Sequence, residues 1–89
     1  MEKINLDKET IKQRIYALAN EFYNEVRDPR NESDLVQMYS INSIDSIEFL
    51  LTIEDEFDIE FDDDKLNINT LKDIDYLVGL VVEKTDSQN

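Results

Sequence analysis

The chain has no cysteine and no histidine. Without cysteine there is no disulfide framework, no thiolate metal site and no sulfur nucleophile. Without histidine the commonest general base and metal ligand are missing, and with them any Ser-His or Cys-His arrangement. A single glycine excludes a glycine-rich loop of the kind that cradles phosphate. No apolar run approaches the roughly 20 residues that cross a bilayer, and the opening MEKINLDKET is not a signal peptide. The expected setting is the cytoplasm, without membrane insertion. At 89 residues the chain is expected to form one domain over 1–89, with an ordered core over about 5–83 and a polar tail over 84–89.

What the sequence has in excess is negative charge. The formal net charge is −13 on 89 residues. This repels nucleic acid and anionic membrane surfaces, and it works against the compact state by self-repulsion. The charge is also uneven. Residues 31–64 hold twelve acids and no lysine or arginine, and the basic residues sit mainly on either side. A solvated acidic surface is the plain explanation. A one-signed stretch of that length also suits docking onto basic partner surfaces.

Near-absence of glycine and proline, with aliphatic residues three or four apart, predicts an all-α fold. A first helix is expected over 7–26, capped by Asp7, with Ile11, Ile15, Leu18, Phe22 and Val26 on one stripe and Pro29 ending it. Residues 28–41 form a long connection in which Leu35, Val36, Met38 and Tyr39 tuck back as a short helical turn. A middle helix is expected over 43–57, with Asn42 as N-cap and Asp45 returning a capping-box bond. A short third helix is expected near 63–67. The last helix starts at Thr70 as N-cap and carries Leu71, Ile74, Leu77, Val78 and Val81 on one face. The result is a small four-helix bundle: three main helices, a short third one, and a long loop between the first two.

The middle helix has two apolar faces. Phe49, Leu50, Ile53 and Phe57 form a core stripe. Ile44, Ile47 and Leu51 fall nearly opposite, with Glu48 and Asp55 among them and Glu54 at their edge. A helix on the outside of a small bundle buries one face. Either the second stripe is exposed and docks a partner, or the long first loop covers it. Residue types alone leave both open.

Three serines, Ser40, Ser43 and Ser46, recur every third residue at the start of this helix. A helix start offers unpaired N–H groups and the positive end of the dipole, which favour an attached phosphate. As an unaided nucleophile a serine here has no base to activate it, and a capping role is the plain alternative.

The stretch SIDSIEFLLTIEDEF resembles the acyl carrier protein family, whose pattern is an Asp-Ser-Leu start, an apolar and acidic helix, and a Glu-Glu-x-Phe end. The resemblance covers about residues 5–83. It implies a four-helix bundle with 4′-phosphopantetheine, derived from CoA, on the middle-helix serine. It implies a carrier and not an enzyme. Asp45-Ser46 imitates the family dipeptide, but the family serine lies fourteen residues before the closing phenylalanine. Counting back from Phe57 selects Ser43. Ile44 then takes the leucine position, Asp45 the next acid, Ile47 a valine position and Glu48 the glutamate. Two departures stand out: Asn42 replaces an aspartate that helps hold a metal ion in the transferase complex, and Ser40 replaces a glycine. The implied partners are a phosphopantetheinyl transferase and acyl-transferring or synthase enzymes with basic docking patches. They would read Ile44, Asp45, Ile47, Glu48, Leu51, Glu54 and Asp55. A monomer is expected, with no metal site and no nucleic-acid partner.

The resemblance points to a discrete carrier of fatty-acid or polyketide synthesis, with a specialised aminoacyl or D-alanyl carrier as the alternative. A non-carrier acidic interaction module also remains open. A calcium-binding loop in DIEFDDDKLNIN fails, because it lacks the central glycine and the ligand spacing of an EF-hand.

Overall fold

The computed structural model describes residues 7–24 and 33–87. It is all-helical, in the order α1 (Lys8–Phe22), α2 (Leu35–Tyr39), α3 (Ser43–Phe57), two 3-10 segments (Asp63–Lys65 and Ile68–Leu71) and α4 (Ile74–Ser87). Helix α1 starts where Asp7 accepts a 2.8 Å bond from the Thr10 N–H, as its capping position predicts. That bond draws the Asp7 carboxyl below its ordinary pKa.

Helix α1 ends earlier than its apolar stripe suggested. Tyr23 follows Phe22 as the C-cap, its N–H bonded back to the Ala19 and Glu21 carbonyls. Asn24 then turns into the left-handed region at φ 53°, a conformation Asn tolerates better than most side chains. Val26 and Pro29, expected as the end of the stripe and the stop signal, lie outside the described residues.

The core draws on every element except the first 3-10 turn, Asp63–Lys65, which buries no residue. Ile11 and Ile15 of α1, Phe49, Leu50 and Ile53 of α3, and Ile74, Leu77 and Val81 of α4 are fully buried. Each such side chain contributes about 1.5–3 kcal/mol relative to exposure. The long connection joins them as expected: Leu35, Met38 and Tyr39 are buried and Val36 packs partly against the cluster. The Tyr39 hydroxyl donates to Asn20 at 2.5 Å, and the Ile74 N–H donates to the Ser33 carbonyl at 2.7 Å. These bonds fasten the connection to α1 and to the start of α4.

Two expected boundaries shift. The short third helix becomes a pair of 3-10 turns, with Asn67 capping the second through the Asn69 N–H at 2.9 Å. Thr70 is not the N-cap of the last helix. It is buried in the second turn, and its hydroxyl donates to the Lys65 carbonyl at 2.5 Å. Asp73 takes over at the helix start and accepts from the Asp75 N–H at 3.0 Å. At the other end, α4 continues through Ser87, past the expected edge of the ordered core.

The one glycine sits inside α4, where it serves no turn. A Cβ added to Gly79 would meet nothing within 4 Å. Gly79→Ala is therefore expected to raise stability by up to about 1 kcal/mol, the helix-propensity difference, as read by urea unfolding.

Candidate functional site

Burial of Phe49, Leu50 and Ile53 sets the rotation of α3, and with it the placement of every candidate residue. At about 100° per residue, the face turned outward carries Ile44, Ile47 and Leu51. They are 74%, 43% and 45% exposed. The described part of the first loop, residues 33–41, leaves the stripe bare, which favours the exposed alternative.

The three serines have different surroundings. Ser46 is fully buried, and its hydroxyl donates to the Ser43 carbonyl at 2.6 Å. Ser40 is exposed, but it is the C-cap of α2, in the left-handed region at φ 54°. That conformation is the physical reason a glycine suits this position. Ser43 is exposed in the first turn of α3.

The cap of this helix is built by Asn42, whose Oδ1 accepts from the Asp45 N–H at 2.8 Å while its carbonyl accepts from the Ser46 N–H at 2.9 Å. The Ser43 and Ile44 N–H groups keep no protein acceptor among the described residues. They lie at the positive end of the helix dipole, where an anionic group is favoured. No reciprocal bond from Asp45 back to the Asn42 N–H is present among the described residues, so the capping box is only half made.

The predicted acids separate into two kinds. Glu48 and Asp55 are exposed, and Asp45 is half-buried. They lie on the α3 edge away from Ser43. Glu54 lies on the other edge, in line with Ser43 and Ile47, and is half-buried. Its carboxylate accepts the Phe61 N–H at 2.7 Å, and its carbonyl accepts from the Asp58 and Ile59 N–H groups. Sequence pattern did not reveal this tie, because it depends on how the chain returns after Phe57.

Tyr23 is a second feature that no motif signalled. Its ring packs on Phe22, Tyr39 and Phe49 with centroids 4.8, 5.5 and 6.1 Å away. Its hydroxyl oxygen is enclosed and has no hydrogen-bond partner among the described residues. Burial pushes the phenol pKa from 10.0 up to about 12, and the Asp45 and Glu48 carboxylates add to the shift. The phenol thus registers the negative potential along that edge of α3. Elsewhere the acids are partly neutralised, by Arg14 on Glu56 at 2.5 Å, Lys84 on Asp62 at 3.1 Å and Lys12 on Asp75 at 3.5 Å.

Away from this face, an open cleft of about 380 Å³ runs between α1 and the end of α3, lined by Thr10, Gln13, Arg14, Ala17, Glu56 and Phe57. None of the candidate residues lines it. Among the described residues no three acids come together to hold a metal ion, and no helix is long and apolar enough to cross a membrane.

The middle helix of the bundle thus presents an exposed serine, a bare apolar stripe and a row of carboxylates. The family described as the phosphopantetheine attachment site matches residues 13–74, more than half of the chain. The chain belongs to the phosphopantetheine-binding acyl carrier protein family. No curated protein and no solved structure matches it. Carrier domains of this family are not catalytic, and they take 4′-phosphopantetheine as a covalent group. They work with phosphopantetheinyl transferases and synthase enzymes. The residues present fit such a group: the start of α3 combines an exposed hydroxyl with N–H groups that keep no acceptor among the described residues.

The pH dependence of Tyr23 is a direct check on these electrostatics. Its folded pKa lies above the unfolded value, so the stability carried by the neutral phenol is fully present below pH 10.0 and is lost as pH rises through about 12. Tyr23→Phe should lack that part of the alkaline loss in urea unfolding. At neutral pH it should be more stable by about 1 kcal/mol, because it removes a buried hydroxyl without a partner.

Proposed function

We propose that Ser43 is the attachment residue and that the protein is a discrete, monomeric carrier of the cytoplasm. It presents acyl thioesters to enzymes of fatty-acid, polyketide or related biosynthesis. The observation that carries the choice of Ser43 is the contrast with Ser46. The Ser46 hydroxyl is enclosed and already donates to the Ser43 carbonyl, whereas Ser43 stands exposed in the first turn of α3.

In modification the Ser43 hydroxyl would lose its proton as its oxygen takes the pantetheine-side phosphorus of CoA; the pyrophosphate P–O bond breaks, adenosine 3′,5′-bisphosphate leaves, and a phosphodiester links Ser43 to the arm. The chain has no histidine to accept that proton, so the base comes from the transferase. Asn42 keeps the helix start in place through the Asp45 N–H, and the Ser43 and Ile44 N–H groups face the incoming phosphate charge. When bound, the arm supplies the thiol that this cysteine-free chain lacks, and that thiol carries cargo as a thioester. Partners dock on Ile44, Ile47 and Leu51 for apolar contact, and the carboxylates of Asp45, Glu48 and Asp55 steer their basic patches.

Intact mass after incubation with a broad-specificity phosphopantetheinyl transferase, CoA and Mg²⁺ tests the assignment. One phosphopantetheine increment is expected in the wild type and in Ser46→Ala, and none in Ser43→Ala. An increment lost only in Ser46→Ala would keep the carrier and move the site. No increment in the folded wild type would leave an acidic interaction module.

Steering has its own test. Glu48→Lys is expected to slow loading about tenfold at low salt, with the deficit shrinking as salt is raised and the thermal midpoint little changed. Equal loading by both proteins at low salt would remove Glu48 from the docking surface.

A further inference from the structure

We propose that Glu54 is a positioning residue for docking and that it acts through its hydrogen bond, not through its charge. This rests on the carrier reading above. Glu54 sits on the same edge of α3 as Ser43 and Ile47, but its carboxylate is turned to the backbone of the following connection. It accepts the Phe61 N–H at 2.7 Å, while its own carbonyl accepts from Ile59 at 3.0 Å. One residue thus receives both ends of the short path between the α3 terminus and Phe61.

The path needs that support. Asp58 leaves the helix in the left-handed region at φ 56°, a conformation that costs a non-glycine residue energy. Ile59 and Phe61 then turn into the core, where they are 4% and 5% exposed. A carboxylate receiving a backbone N–H makes a stronger bond than a neutral acceptor. The segment 58–61 is thereby held to Glu54, on the α3 edge that also carries Ser43 and Ile47. Among the described residues, Glu54 is the acid flanking the stripe whose carboxylate is engaged in this way, and Glu48 and Asp55 are exposed. A basic partner would therefore meet Glu48 and Asp55 as charges. It would meet Glu54 as the fastening that keeps the surface in shape.

Two substitutions separate shape from charge. Glu54→Gln removes the charge but leaves an amide oxygen able to accept the Phe61 N–H. Glu54→Ala removes the acceptor. Amide hydrogen exchange and transferase loading kinetics are measured on both, beside Glu48→Gln.

Glu54→Gln should keep the Phe61 amide protected and leave KM, kcat and the salt dependence of loading near wild type. Glu54→Ala should speed exchange at Ile59 and Phe61 about tenfold, with the α1 amides unchanged, and raise KM several-fold at constant kcat. Glu48→Gln should raise KM and weaken its salt dependence without touching the Phe61 amide. A Glu54→Gln protein that matches Glu48→Gln in KM and salt response would overturn the proposal, because Glu54 would then act as a docking charge. Unchanged Phe61 exchange in Glu54→Ala would overturn it as well. Absence of any loading in the wild type would sink the carrier assignment and the docking role built on it, while the exchange data would still report whether Glu54 holds the segment.

Discussion

The structure depends on one constraint: α3 has two apolar faces, and the bundle has room for one. Phe49, Leu50 and Ile53 lie inside at zero exposure. Their combined burial is worth several kcal/mol, far more than the exposed stripe could gain by the partial cover a loop provides. That difference fixes the rotation of the helix. Once it is fixed, Ser46 must point inward, Ser43 must sit at the edge, and Ile44, Ile47 and Leu51 must face solvent. The proposed attachment site and the proposed docking surface both follow from which face the core takes.

Charge acts within that frame. Three described ion pairs join bases of α1 and α4 to acids of α3, the 3-10 region and α4 itself, through Glu56, Asp62 and Asp75. At exposed positions such pairs contribute little stability, and among the described residues none of them engages Asp45, Glu48 or Asp55 near the bare stripe. The raised pKa of Tyr23 responds to two of these groups. Such exposed charge, kept at some cost to the folded state, suits the proposed encounter with basic partners.

Legibility varied from element to element. The Asp7 and Asn42 caps follow from short polar side chains placed just before periodic apolar runs, and both make the expected bond. The 43–57 helix was legible to the residue, since its cap and its closing phenylalanine bracket it. The end of α1 was not. The apolar stripe continues to Val26, while Asn24 leaves the helix at φ 53°. Thr70 was misplaced for a related reason. A threonine before an apolar run signals a cap, but burial of its hydroxyl against the Lys65 carbonyl draws it into a 3-10 turn, and Asp73 supplies the cap instead. The bond from the Phe61 N–H to Glu54 was not legible, because side-chain type cannot show where a backbone N–H will arrive seven residues later.

By itself the sequence determined the all-helical class, the span and cap of the middle helix, the spacing that favours Ser43, and the one-signed charge around it. These are local properties, set by periodicity, capping chemistry and composition, and they need no knowledge of distant contacts. Only the tertiary structure decided whether the second stripe lay bare, which serine hydroxyl was enclosed, where α1 stopped, and what Glu54 and Tyr23 touch. Each of those depends on segments far apart in the chain competing for the same limited core, and that competition is resolved by packing, not by pattern.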